Sequence, residues 1–258
     1  MSRIQEAFAK GKAFIPFITC GDPDLATTAA CVRAMAEAGA SVIELGIPFS
    51  DPTAEGPVIQ SANVRALSGG VTTDLIFDMV EDLRRDVNVP MVFMTYANVV
   101  FSYGMERFLA RAQAVGMDGL ILPDVPFEEK EEFAPACRAH SIDMISLIAP
   151  TSEGRIAEIA KAAEGFVYCV SSLGVTGVRS QITTDIGAMV ALVKEANPSI
   201  PCAVGFGIST PEQAAKMAAL SDGAIVGSAI VKLIAQYGRD AVPHVRDYVA
   251  GMVAAVHS

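Results

Sequence analysis

Eight short apolar runs recur along the chain, and almost none of them alternates with polar residues. They are AFIPFIT (13–19), SVIEL (41–45), PMVFMTY (90–96), GLIL (119–122), MISLIA (144–149), FVYCV (166–170), PCAVGF (201–206) and GAIVG (223–227). A strand that is apolar on both sides must be covered on both sides, which is the condition of parallel strands flanked by helices. Segments of helical periodicity lie between the runs, among them 24–38, 127–139, 153–163 and 211–220. Asp24, Ser152 and Thr210 stand at helix starts, the last with Pro211 in the first helical position. Eight such alternations without a GxGxxG after the first run predict an α/β chain folded as a (β/α)8 TIM barrel. Extra helices are expected at 2–10, 72–85 and 241–256. No linker or low-complexity tract divides residues 1–258, so they read as one barrel domain.

Charge and cysteine content narrow the partners. Nineteen basic against twenty-nine acidic residues give a net charge of −10. That balance lacks the positive footprint of a nucleic-acid binder. The longest uncharged stretch, 87–105, contains Asn88, Pro90, Asn98, Ser102 and Gly104. It reads as a buried strand followed by a loop rather than a membrane span. Cys20, Cys31, Cys137, Cys169 and Cys202 show no CxxC spacing. Together with a start that lacks the apolar core of a secretory signal, this fits reduced thiols in a cytoplasmic protein.

In a barrel the chemistry belongs to the C-terminal ends of the strands. Glu44, inside SVIEL, is expected to point into the barrel, where burial raises its pKa and suits it to proton transfer. The alternative is a structural glutamate satisfied by a buried hydrogen bond or ion pair, although burying a charge without purpose is costly. The next segment, IPFSDPTAEGPVIQ, is stiffened by Pro48, Pro52 and Pro57 and carries Asp51 and Glu55. It can bring a second carboxylate to the pocket, or its acids can simply be solvated. Gly205-Phe206-Gly207 and Gly227-Ser228 end the last two runs, just before helices. Backbone N–H groups there suit a phosphate, as barrels often place one after strands seven and eight. The stretch 171–179, SSLGVTGVR, is either a lid with Gly177 facing the phosphate or an ordinary surface loop.

No histidine or lysine ends a run, so a His-ligated metal and a Schiff base are both disfavoured. Carboxylate acid–base chemistry on a phosphorylated small molecule remains, with apolar walls from Phe17, Met94, Tyr168 and Phe206.

The stretch ELGIPFSDPTAEGPVIQ at 44–60 closely resembles the tryptophan synthase α-subunit family. The likeness continues in PFITCGDPD (16–24), MTYANVVF (94–101), LPDVPFEE (122–129), YCVSSLGVTG (168–177), GFGIS (205–209) and GAIVGSAIVK (223–232). The resemblance implies retro-aldol cleavage of indole-3-glycerol phosphate to indole and glyceraldehyde 3-phosphate. Glu44 then matches the general acid/base, and Glu55 the carboxylate that holds the indole N–H. Gly177, Gly207, Gly227 and Ser228 match the phosphate site, and Phe17, Met94, Tyr168 and Phe206 the indole pocket. Thr176 matches a lid residue that orders near the carboxylates. The resemblance also implies an α2β2 assembly with a tryptophan synthase β subunit. That β subunit would carry pyridoxal phosphate; this chain would bind none. The loop at 48–57 is the expected interface element.

Three positions depart from the family's usual pattern. Glu55 stands where aspartate is common, Thr53 where an aliphatic residue is, and Ser172 where a basic one often is. Two rival readings stay open on the residues. One is a phosphosugar isomerase of the phosphoribosylanthranilate type using Cys20 and Asp124, and the other a non-catalytic subunit that activates a β partner.

Overall fold

The computed structural model describes residues 1–150, 153–170, 185–205 and 207–258. Among them lie nine strands: β1 (Ala13–Thr19), β2 (Ile43–Gly46), β3 (Met91–Met94), β4 (Gly119–Ile121), β5 (Asp143–Met144), β6 (Ser146–Ile148), β7 (Val167–Val170), β8 (Cys202–Gly205) and β9 (Gly223–Val226). They form one sheet in the order β5-β4-β3-β2-β1-β9-β8-β7-β6, and every pairing is parallel.

The two edge strands, β5 and β6, are neighbours in the chain, separated by Ile145 alone. The Ile145 N–H donates to the Leu120 carbonyl at 3.0 Å, so the sheet returns on itself as a barrel. The run expected over 144–149 is thus one stave broken in two. Its first part pairs β4 and its second pairs β7. The stave expected over 41–45 begins two residues later, at Ile43.

The lack of alternation has a direct cause. Ala13, Ile15 and Phe17 of β1 pack inside the barrel with Val42, Val92, Met94, Ile121, Tyr168, Ala203 and Ile225. Phe14, Ile18, Ile43, Leu45 and Phe93 face outward into a second core under the helices. Both faces are dry, so both are apolar.

Helices α1 (Arg3–Phe8), α2 (Leu25–Glu37), α3 (Pro57–Ser68), α4 (Thr73–Leu83), α5 (Ala97–Tyr103), α6 (Met105–Ala114), α7 (Ala134–Ala139), α8 (Glu153–Lys161), α9 (Ile186–Ala196), α10 (Pro211–Leu220), α11 (Ser228–Tyr237) and α12 (Ala241–Val256) fill the connections. The Asp24 carboxylate accepts from the Thr27 N–H at 2.7 Å, capping α2. Thr210 and Gln213 form a capping box on α10. Ser152 lies outside the described residues. No helix among the described residues is long and apolar enough to cross a membrane.

Two expectations fail for identifiable reasons. The loop expected after the strand in 87–105 is instead α5. Its cap comes from 27 residues away: the Ala97 N–H donates to both carboxylate oxygens of Asp124 at 3.1 Å. Local sequence therefore carries no start signal for this helix. The helix expected over 127–139 is a 3₁₀ segment, Phe127–Glu132, followed by α7. Pro135 lacks the N–H that a helix continuing from the first segment would need, which divides the two.

The N-terminal end of the barrel is held by ion pairs. Asp118, just before β4, accepts from Arg3 at 2.9 Å, from Arg84 at 2.6 Å and from the Met91 N–H at 2.9 Å. Arg84 also donates to the carbonyls of Gly116, Val87 and Val89. Both arginines are long enough to knit the strand entrances together.

Candidate active site

Glu44 is the second residue of β2 and stands in register with Phe17 on β1 and Val92 on β3. Val42 is an inner residue and Ile43 and Leu45 are outer ones, so the pleat sends the Glu44 side chain inward. The residue is 1 % exposed, and its Oε1 meets no hydrogen-bond partner among the described residues. Burial, with the nearby charge of Glu55 added, pushes its carboxyl up to about 8. Among the described residues no cation pairs with Glu44.

The second carboxylate is Glu55, not Asp51. Asp51 is exposed and accepts from the Ser50 hydroxyl. Glu55 is buried just before α3, and burial pushes its carboxyl up to about 7. Hydrogen bonds from Asn63 and Tyr96 hold that rise in check. The Asn63 Nδ2 donates to Glu55 Oε2 at 2.7 Å. The Gln60 side chain donates to the Glu55 carbonyl at 2.7 Å and fixes the backbone from the next turn. The Tyr96 hydroxyl also accepts from the Ala54 N–H at 3.2 Å, and its ring rests against Phe49 at 5.1 Å between centroids. This residue thus clamps the loop from three sides.

Asn63 and Tyr96 were not singled out from sequence. Asn63 had a readable signal, being the one polar residue on the buried stripe Ile59, Ala62, Asn63, Ala66 of α3. Thr19 and Thr95 also bury hydroxyls without partners among the described residues, at the ends of β1 and β3.

Phe17, Met94 and Tyr168 all belong to the inner core. The Phe17 ring spans the gap between two glycines. A Cβ on Gly46 would lie 2.6 Å from its Cζ, and one on Gly227 3.2 Å from its Cδ1. A Cβ on Gly205 would lie 2.5 Å from the Tyr168 hydroxyl oxygen. These glycines are required by close approach of aromatic rings. Tyr168 is itself an electrostatic neighbour of Glu44.

Gly227 and Ser228 sit where β9 gives way to α11, and no side chain caps that helix. Its first N–H groups have no partners within the helix. Gly207, after β8, has φ +79°, a conformation that side chains rarely adopt. Phe206, Thr176, Gly177 and Ser172 lie outside the described residues.

The isomerase alternative finds no poised pair. Cys20 is fully buried, and burial pushes its thiol far up. Asp124 is exposed and engaged in capping α5.

A family model described as tryptophan synthase alpha chain matches residues 4–255. The chain belongs to that family. A tryptophan synthase alpha chain of Lacticaseibacillus casei is 50% identical over 236 residues, covering 92% of this chain and 88% of the relative. One of Geobacter sulfurreducens is 50% identical over 243 residues and covers 92% of each. A solved structure of Mycobacterium tuberculosis tryptophan synthase superposes with a TM-score of 0.91 at 35% identity, covering 100% of this chain and 99% of that one. The tryptophan synthase alpha chain of Legionella pneumophila gives 0.89 at 35% identity, covering 99% and 97%. Membership in the tryptophan synthase alpha chain family makes the chain a carbon–carbon lyase of tryptophan biosynthesis.

Proposed function

We propose that Glu44 and Glu55 perform the retro-aldol cleavage of indole-3-glycerol phosphate. The observation that carries this reading is a pair of buried carboxyls at the barrel's strand ends, neither of them paired with a cation among the described residues. With Glu44 pushed up to about 8 and Glu55 to about 7, the first is protonated and the second ionised between those values. The pair titrates jointly, so these values belong to the pair.

Glu44 donates its proton to C3 of the indole ring, which turns the ring into an iminium. The Glu55 carboxylate accepts the hydrogen bond of the indole N–H and stabilises the positive charge as it forms. Glu44, now ionised, removes the proton of the hydroxyl on the carbon attached to C3. That oxygen's electron pair becomes the aldehyde C=O, and the C–C bonding pair returns to the ring as the C2–C3 double bond. Indole and glyceraldehyde 3-phosphate leave, and Glu44 ends protonated as it began. Phe17, Met94, Tyr168 and Phe206 wall the indole. The backbone of Gly177, Gly207, Gly227 and Ser228 takes the phosphate, with the open N-terminus of α11 in support. Thr176 belongs to the lid over the carboxylates.

Residues 1–258 act as one barrel unit in the cytoplasm. The chain carries no cofactor of its own and joins a β subunit, which holds pyridoxal phosphate, in an α2β2 tetramer. Ser50, Asp51 and Thr53 form the exposed edge of the loop whose inner end is Glu55. A partner seated on that edge can therefore move a catalytic carboxylate. The test is indole release from indole-3-glycerol phosphate by the purified chain, with and without a β subunit. Slow release alone and faster release with the partner are expected. No release under either condition would overturn the assignment and leave a non-catalytic subunit.

A further inference from the structure

The broken stave reaches β4 only through β5 and Ile145. β4 ends at Ile121, β5 ends at Met144, and no ladder among the described residues joins β4 to β6. Over this seam lies a cavity of about 210 Å³ whose walls include Leu122, Phe127 and Ile159. Its polar lining includes Lys130, Ser146 and Arg155, and no carboxylate contributes to it. Glu44, Glu55, Phe17, Met94 and Tyr168 are not among its lining residues, while Ile145, Leu147 and Ala149 of its wall join it to the inner core.

Lys130 is the unusual member. It is 6 % exposed, yet no carboxylate among the described residues lies within ion-pair distance of its ammonium. Its Nζ donates to the Ser146 hydroxyl at 3.1 Å and to the Ala162 carbonyl at 3.0 Å. Among the described residues its acceptors are these two neutral groups, and a buried cation held only by neutral groups is costly. Burial lowers its pKa accordingly, against the more distant attraction of Glu164 and Glu131. Ser146, having accepted from the lysine, still has its own O–H to donate. Arg155 adds a second cation at the rim, where it pairs with the exposed Glu128.

We propose that this cavity binds a small aromatic carboxylate, held by Lys130 and Ser146 with its ring against Leu122, Phe127 and Ile159. The lining is positively charged and otherwise apolar, so it complements an anion that carries its own apolar body. An inorganic anion would gain the same donors while facing hydrocarbon on its other sides.

Benzoate and its neutral isostere benzamide are the probes, titrated into the full chain with the Ile159 methyl signal observed by NMR. Saturable benzoate binding that shifts Ile159 and not Tyr168 is expected, with benzamide at least about tenfold weaker. Lys130→Met should weaken benzoate by at least about tenfold and leave indole-3-glycerol phosphate cleavage unchanged. Should Lys130→Met fail to fold, Ser146→Ala is read in its place, with a smaller loss expected. Equal binding of both probes, undiminished benzoate binding in the variant, a response at Tyr168 instead, or no response at saturating benzoate would each overturn the site.

Discussion

Carboxylates stand at both ends of the barrel, and the two ends treat them in opposite ways. At the entrance to β4, Asp118 receives two arginines and a backbone N–H. At the other end, Glu44 and Glu55 are buried with neither arginine nor lysine beside them among the described residues, and their carboxyls rise to about 8 and about 7. A carboxylate gripped by two guanidiniums and a backbone N–H serves as a fastener. An acid denied a cation keeps its proton near neutrality and can hand it over. The same residue class thus builds the frame below and supplies the proposed acid–base pair above. What separates the two roles is deep burial above, with no guanidinium among the described residues to offset it.

The largest way to break this contrast is to remove the proton from the upper end. Glu44→Gln should lower turnover by about 10³–10⁴ with little change in substrate affinity, measured as single-turnover indole release against equilibrium binding. Turnover near that of the parent chain would place the proton donor elsewhere. At the lower end, Arg84→Met should cost about 3 kcal/mol in denaturant unfolding, because Asp118 and three carbonyls lose a donor. Cleavage measured well below the melting temperature should be unaffected, and a large loss there would blur the division between frame and site.

The contrast also has a pH signature. The carboxyls of Glu44 and Glu55 titrate higher in the folded chain than at the ordinary value of 4.5. Between that value and about 8 the folded chain therefore holds more protons than the unfolded one, and its stability falls as pH rises. Glu44→Gln should remove part of this loss. The variant should gain on the parent chain from pH 5 to pH 8 in urea melts, and a gap independent of pH would contradict it. The smallest effect concerns tuning. Asn63→Ala removes the hydrogen bond that restrains Glu55, so the ascending limb of kcat/KM should move up by about one pH unit. An unmoved limb would mean that Asn63 only fills space.

Much of this arrangement was readable from residues, and the unreadable part has one physical character. Glu44 stood out because a charge inside an apolar strand is costly and demands a reason. The strands stood out because two covered faces write themselves as unbroken apolar runs. Glu55 could not be told from Asp51 by spacing, since the choice depends on where a proline-stiffened loop lands against Asn63 and Tyr96. Helix α5 escaped for the same reason: its cap, Asp124, sits in another loop. The break at Ile145 was hidden because the run over 144–149 reads as one stave straight across it. Local patterns report local costs, and features set by residues far apart in the chain leave little trace in either segment alone.

Two of the five tyrosines, Tyr96 and Tyr168, stand in the electric field of Glu55 and Glu44 respectively, and the chain has no tryptophan. Its near-ultraviolet absorption is therefore that of phenols over a weak phenylalanine background, without an indole band to mask it. As each carboxyl loses its proton, the negative charge beside the phenol shifts that phenol's absorption. The protein thereby carries a built-in optical indicator for its own acid pair, readable without substrate, label or partner. The first indole to appear in solution would be the product itself.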